Sequence, residues 1–372
     1  MISIAMFNNK GGVGKTTLLC NLAGYLQIEK KKKVLVVDAD PQCNTTTYVL
    51  DRKQFDTLYG KIADGCDADT FTIRDLVEPL KAGEGYITED ELKIIQSKGF
   101  GFSLIPGNPK FASLEDFLSR DWIDIAGKEV RGIKTTMFAF HLLSMCKEYD
   151  YVFFDMGPAL GAINRSILLA CNYFITPMSS DIFSLLALDN IGMSICEWKK
   201  EFNDAIEALE SEAKERLKKG VRSESIACSV RFFGHVTQQY ITKVNGDERR
   251  AVKAYDKIMK RFPSSINEKI IKPINFDGVR CEKDKEVLEG IDYEIGKIPN
   301  FYSLIPMSQS AHKALFSLGA KDGIVGAHYR KVDEFKKLMS DMVDRFFENE
   351  KKLNGLFNNF KNEEKLNELF NK

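Results

Sequence analysis

The chain lacks any run of roughly 20 apolar residues, the length a helix needs to cross a bilayer, so the sequence excludes a membrane-spanning helix. It also lacks a charged start followed by a long apolar centre. Residues 1–7 are a short apolar run that meets glycines at once, which predicts no secretion signal and a cytoplasmic location. Eight cysteines are present but never as C-x-x-C, and His141, His235, His312 and His328 stand apart from one another. That scatter excludes a disulfide framework and a metal site built from protein ligands alone, and predicts reduced core thiols and structural imidazoles. No charge sign dominates, since 53 basic residues balance 53 acidic ones. Any attraction to nucleic acid or to a lipid surface must therefore come from a local patch. There is no tandem repeat and no low-complexity linker. The 372 residues read as one domain over residues 1–330, with insertions at about 52–100 and 263–295, followed by a helical extension over 331–372.

What the sequence does contain is chemistry placed at strand ends. Residues 1–7 read as a buried strand that runs into Asn8-Asn9-Lys10-Gly11-Gly12-Val13-Gly14-Lys15-Thr16-Thr17, and an apolar-periodic helix follows. Glycines let backbone N–H groups converge on phosphate oxygens with no Cβ in the way, and the helix N-terminus adds its positive dipole end. Gly11, Gly12, Val13, Gly14, Lys15, Thr16 and Thr17 are thus the predicted phosphate cradle, with ATP and Mg²⁺ as ligands. Lys15 would neutralise the outer phosphates, and the Thr16 hydroxyl would face the metal. Tyr151-Val152-Phe153-Phe154-Asp155 is an apolar strand ending in a carboxylate, the arrangement that fixes an acid rigidly beside Mg²⁺.

Apolar runs recur at 1–7, 33–38, 102–106, 150–155, 172–177, 228–236 and about 293–298, with helical patterns between most of them. The alternation predicts an α/β fold: a doubly wound, mostly parallel sheet with helices on both faces. Ligands of such sheets sit at the carboxyl ends of the strands, where Lys15, Asp40 and Asp155 all fall.

Lys10 narrows the reading. K-G-G-V-G-K-T-T resembles the deviant Walker A loop of the ParA/MinD family of P-loop ATPases, and Val34 to Gln42 resembles the D-x-D-P-Q element of its ParA-like members. Leu104-Ile105-Pro106-Gly107-Asn108 resembles the family's I-P-G-N strand end, and Tyr149 to Thr176 its Walker B strand, following helix and next strand. The resemblance covers most of the chain and implies ATP hydrolysis. It assigns Lys10 to reach across a homodimer to the partner's nucleotide, Asp40 to orient or activate the attacking water, and Asp38 to support the Mg²⁺ shell beside Thr16 and Asp155. It also places Pro299 and Asn300 near the adenine. One departure is Met156-Gly157-Pro158, which keeps a single proline where the family has two, and this bears on switching rather than binding.

Two segments are read as partner surfaces. A helical pattern over 246–262 collects Arg249, Arg250, Lys253, Lys257, Lys260 and Arg261 on one face, a candidate contact for nonspecific DNA. Between Val332 and Phe360 an apolar stripe predicts a helix whose first half packs onto the sheet, with residues 353–372 left as a tail for a protein partner. The leading expectation is a ParA-like ATPase: ATP closes a dimer, the dimer binds DNA or a partner, and partner-stimulated hydrolysis resets it, as in plasmid or chromosome partition or cargo positioning. The alternative is a nucleotide-sensing subunit of a larger complex, such as a defence or toxin-control system. An electron-transfer ATPase would need a cluster-holding cysteine, and none lies in 155–161.

Overall fold

A computed structural model describes the chain except residues 64–69, 128, 224–225, 241, 246–247, 252–256, 280 and 371–372; at 61–63, 126, 239–240, 242–245, 248–251 and 358–370 it describes the backbone alone. Among the described residues ten strands form: β1 (Ile2–Met6), β2 (Val34–Asp38), β3 (Ile95–Gln96), β4 (Ser103–Ile105), β5 (Tyr151–Asp155), β6 (Tyr173–Ser179), β7 (Arg231–Tyr240), β8 (Thr242–Asn245), β9 (Glu248–Ala251) and β10 (Glu294–Pro299). Eight of them make one sheet in the order β10-β7-β6-β1-β5-β2-β4-β3. Every neighbouring pair in it is parallel except β3 with β4. Each of the seven strands expected from apolar runs is present. β2 and β5 are buried along their whole length, which is why they read as unbroken apolar runs rather than as alternation.

Parallel strands need crossovers, and helices supply them. They are α1 (Lys15–Ile28), α2 (Asn44–Val49), α3 (Arg52–Ala63), α4 (Glu78–Ala82), α5 (Glu115–Ala126), α6 (Val130–Thr136), α7 (Phe138–Met145), α8 (Ala162–Ala170), α9 (Ile182–Glu207) and α10 (Ser211–Gly220). Central β1 pairs with β5 on one side and β6 on the other, so the strand order turns there. In the register Met6 lies beside Asp155, and Asp155 beside Asp38. Three chemical segments therefore leave the sheet at one edge, the switch point where α/β sheets bind ligands.

The long C-terminal helix runs Ala327–Phe370, starting earlier than the stripe predicts. Its first half packs on the sheet as expected. Phe346 is fully buried, with ring centroids 5.5 Å from Tyr151 and 4.6 Å from Phe233. Hydrogen bonds seal the contact: Tyr151 Oη donates to Glu350 at 2.6 Å and Tyr173 Oη to Asn354 at 2.7 Å. A Cβ on Gly296 would collide with Met342, so glycine there lets the helix lie close on β10.

One expectation fails. The single helix over 246–262 is not what forms, because β8 and β9 pair antiparallel, with Asn245 opposite Glu248, and the described helical residues that follow are 257–259 and then 262–275. Arg249 and Arg250 belong to β9, Lys257 is helical, and Lys260 and Arg261 lie between the two helical stretches; Lys253 lies outside the described residues. A strand at 248–251 removes the helical spacing on which the shared basic face was built. The competing signal is Asn245-Gly246-Asp247, turn chemistry that favours a tight hairpin over a continuing helix.

Candidate functional site

The glycine loop leaves β1 and returns into α1. Asn8 anchors its entry: the buried amide donates to the Pro177 carbonyl at 2.7 Å and accepts the Lys10 N–H at 2.9 Å. Gly12 and Gly14 hold φ of 74° and 80°, the left-handed region that a Cβ disfavours. The helix α1 begins at Lys15 with no side-chain cap and no acidic residue in its first turn. Its first N–H groups and its dipole are thereby left for an anion from outside. Gln238, buried at the far end of β7, donates to the carbonyls of Val13 at 3.1 Å and Gly14 at 3.4 Å, and so pins the loop from the other side.

Lys15 Nζ reaches back over the loop to the carbonyls of Asn8 and Lys10, both at 3.3 Å. Burial lowers its pKa, and Asp155 and Asp40 oppose that effect, so its charge is partly desolvated and poorly paired. A cation in that condition gains most from an anionic ligand.

Below the loop, the hydroxyls of Thr16 and Thr45 both donate to Asp155 Oδ2 at 2.7 Å. Asp155 Oδ1 is buried without a hydrogen-bond partner among the described residues. Burial raises the Asp155 carboxyl to about 6, with the two hydroxyls opposing. A buried carboxylate with one orphaned oxygen, in contact with a loop threonine, fits the oxygen-rich ligand set a divalent cation takes. Asp38 sits beside it and is also buried: its Oδ2 is engaged by the Thr46 N–H at 2.8 Å and the Thr46 hydroxyl at 2.6 Å, and its Oδ1, like that of Asp155, has no hydrogen-bond partner among the described residues. Burial first, then the Asp155 charge, pushes Asp38 up to about 8. Asp40 faces the open cleft, where its Oδ1 accepts the Gln42 N–H at 2.9 Å.

The cleft has a volume of about 700 Å³ and is lined by residues 11–17, Asp40, Gln42, Tyr48 and Pro158, with Gln309, Ser310 and His312 across from them. Asp38 and Asp155 lie beneath this surface and Lys10 outside it. Lys10 is instead ion-paired with Asp181 and donates to Ser179 Oγ at 2.9 Å. Pro299 and Asn300 line a separate cavity with Thr17, Leu18 and Gln238. Its volume of about 30 Å³ holds a water molecule and not a purine.

Sequence reasoning misses Gln238, Thr45, Asp181, Gln309 and His312. None stands in a glycine loop or at a predicted strand end, so no local pattern marks them. The fold brings them in from distant segments, Gln238 from 225 residues beyond Val13.

Comparison with known proteins agrees with this geometry. The family model for an AAA domain matches residues 1–208. An uncharacterized protein of Methanocaldococcus jannaschii is 30% identical over 196 residues, covering 51% of this chain and 65% of its own length. The chromosome partitioning protein ParA of Myxococcus xanthus is 28% identical over 204 residues, covering 54% of this chain and 60% of its own. The chain thus spans less than two thirds of the length of these curated relatives. Among solved structures, protein DIP2308 from Corynebacterium diphtheriae superposes with a TM-score of 0.67 at 29% identity, covering 84% of this chain and 97% of that one. Glycine loop, carboxylate register, sheet order and sequence likeness agree, and the chain belongs to the ParA/MinD family of P-loop ATPases, with the matched AAA domain holding the nucleotide loop.

Proposed function

We propose that the protein binds ATP with Mg²⁺ in the cleft above the glycine loop, hydrolyses it slowly, and uses the nucleotide state to control association with a second copy of itself. The observation that carries this reading is the contact of the Thr16 hydroxyl with Asp155 at 2.7 Å beneath a glycine cradle, with the second Asp155 oxygen left unpartnered. Thr16 and Asp155 would hold the metal, which when bound supplies charge neutralisation to the phosphates. Asp38, buried and raised, would support the shell from behind rather than ligate directly.

The chain's own residues do the positioning. The N–H groups of residues 11–17 orient the phosphates, and Lys15 draws the terminal one towards the base of the cleft. Asp40, a cleft carboxylate with no threonine hydroxyl on it among the described residues, would orient an attacking water. Phosphoryl transfer depends mainly on such positioning, so a rigid loop and a single well-placed carboxylate suffice for slow turnover. Pro299 and Asn300 would contact adenine only after their pocket widens.

In this reading Lys10 leaves Asp181 and reaches the nucleotide of the second copy. DNA binding through Lys257, Lys260 and Arg261, with Arg249, Arg250 and Lys253 in the same stretch of chain, would follow dimer formation, and its affinity would fall steeply with salt. Partition or cargo positioning is the process this cycle serves in ParA-like systems. Size-exclusion light scattering with ATP, ADP or no nucleotide, on wild type, Lys10→Ala and Asp40→Ala, tests the reading. An ATP-dependent dimer that is absent in the first variant and persists in the second is expected. Assembly indifferent to nucleotide would refute it and favour a nucleotide-holding subunit of a larger complex.

A further inference from the structure

The segment from Met156 to Gly161 joins Asp155 to α8, and it forms one wall of the cleft through Pro158. Gly157 lies against Asp40, where an added Cβ would be 3.4 Å from Oδ1. The position of this segment therefore sets what Asp40 faces. At its far end α8 starts from Gly161, which has no side chain to cap the helix, and the first turn would leave its N–H groups orphaned.

The missing cap comes from another element. Glu115, at the start of α5, accepts the Ala162 N–H on Oε1 at 2.5 Å and the Ile163 N–H on Oε2 at 3.1 Å. One turn into α8, Asn164 donates to the carbonyls of Gly157 at 2.8 Å and Ala159 at 2.6 Å, so the helix start and the segment move as one piece. Beyond it Arg165 lies 4.0 Å over the ring of Trp122 from α5, holding the same two helices together.

We propose that Glu115 is a positioning residue for hydrolysis: its carboxylate, by capping α8 from α5, fixes residues 157–161 against Asp40 and the cleft. It touches no phosphate and acts through Asn164 and the segment. The inference rests on the ATPase reading for its kinetic consequence, but the clamp itself can be observed without nucleotide.

The test uses the full chain as wild type, Glu115→Ala, Glu115→Gln and Gly161→Ala. Gly161 has φ of −103°, which alanine adopts freely, and the atoms nearest its added methyl group are those of the Glu115 carboxylate. Amide hydrogen exchange without nucleotide should quicken over 157–163 by a factor of about ten in Glu115→Ala and Gly161→Ala, the size of losing one helix cap. The Gln variant, which keeps one acceptor, should fall between. Steady-state ATPase should show kcat lower by up to about a hundredfold with KM for ATP within about threefold of wild type, the mark of lost alignment rather than lost binding. Unchanged exchange over 157–163, or kcat within twofold of wild type in folded Gly161→Ala, overturns the proposal. Absence of turnover in wild type would instead overturn the ATPase reading, and the exchange result would still decide the clamp.

Discussion

Lys10 is ion-paired with Asp181 of its own chain, on the rim of the cleft and not inside it. Asp181 also caps α9, accepting the Ser184 N–H at 3.1 Å. A lysine proposed to reach a second copy's nucleotide is thus held at home by a pair that is about one third exposed on each side, 28% and 34%. Solvent screening limits such a pair to about 1 kcal/mol. Asp181→Asn keeps the cap and removes the charge, so it should tighten ATP-dependent dimerisation by about two- to fivefold. Sedimentation equilibrium with ATP reads this directly, and an unchanged or weaker dimer would show that the pair plays no part.

Lys15 is poorly paired and partly desolvated within the loop. Replacing it by alanine should cost ATP binding about 3 kcal/mol, roughly a hundredfold in affinity. Isothermal titration with ATP and Mg²⁺ measures it, and wild-type affinity in Lys15→Ala would remove the loop from the binding site.

Asp40 bonds only a backbone N–H of its own turn among the described contacts, so its loss should leave the fold and nucleotide affinity nearly intact. Single-turnover hydrolysis in Asp40→Ala should nonetheless slow by about a hundredfold or more. Equal rates in both proteins would place the water-orienting role elsewhere.

His235 is buried on β7, and among the described residues neither ring nitrogen has a hydrogen-bond partner, Glu294 standing 3.9 Å from Nε2. Burial lowers its pKa from 6.5 to about 4, with Glu294 opposing. The folded state therefore disfavours the proton. The resulting stability is present above the unfolded pKa of 6.5 and is lost as pH falls from there towards 4, on the order of 3 kcal/mol in all. Urea melts at pH 7 and pH 5 should show a smaller loss in His235→Met than in wild type. An equal loss would mean the imidazole is already relieved by water.

Phe346 fills the contact between the C-terminal helix and the sheet. Phe346→Ala should destabilise the protein by about 3–5 kcal/mol, read from chemical denaturation, with nucleotide affinity little changed in the folded fraction. A cost under about 1 kcal/mol would make the helix an appendage rather than part of the core.

The glycine loop, the strand-end carboxylates and the parallel sheet were legible in the sequence because each is a local pattern with one physical reading. Three glycines before a lysine and threonine at a helix start admit close backbone approach, and Tyr151 to Asp155 is apolar on both faces because both faces are covered. The stripe between Val332 and Phe360 likewise reads as helix from its spacing alone. The segment 246–262 was misread because one basic helical period and one glycine turn compete over the same residues, and strand pairing between β8 and β9 decided between them.

Contacts between distant segments are a different matter, since nothing local encodes them. Sequence alone determined that a glycine loop joins the first strand to a helix and which strands end in acids. Only the tertiary structure decided that Asp155 faces Thr16 while Asp38 is sealed behind Thr46, that Lys10 rests on Asp181, and that Glu115 caps α8 from 47 residues away. The reason is geometric: a side chain's partner across the fold depends on sheet order and helix packing, which the whole chain settles together.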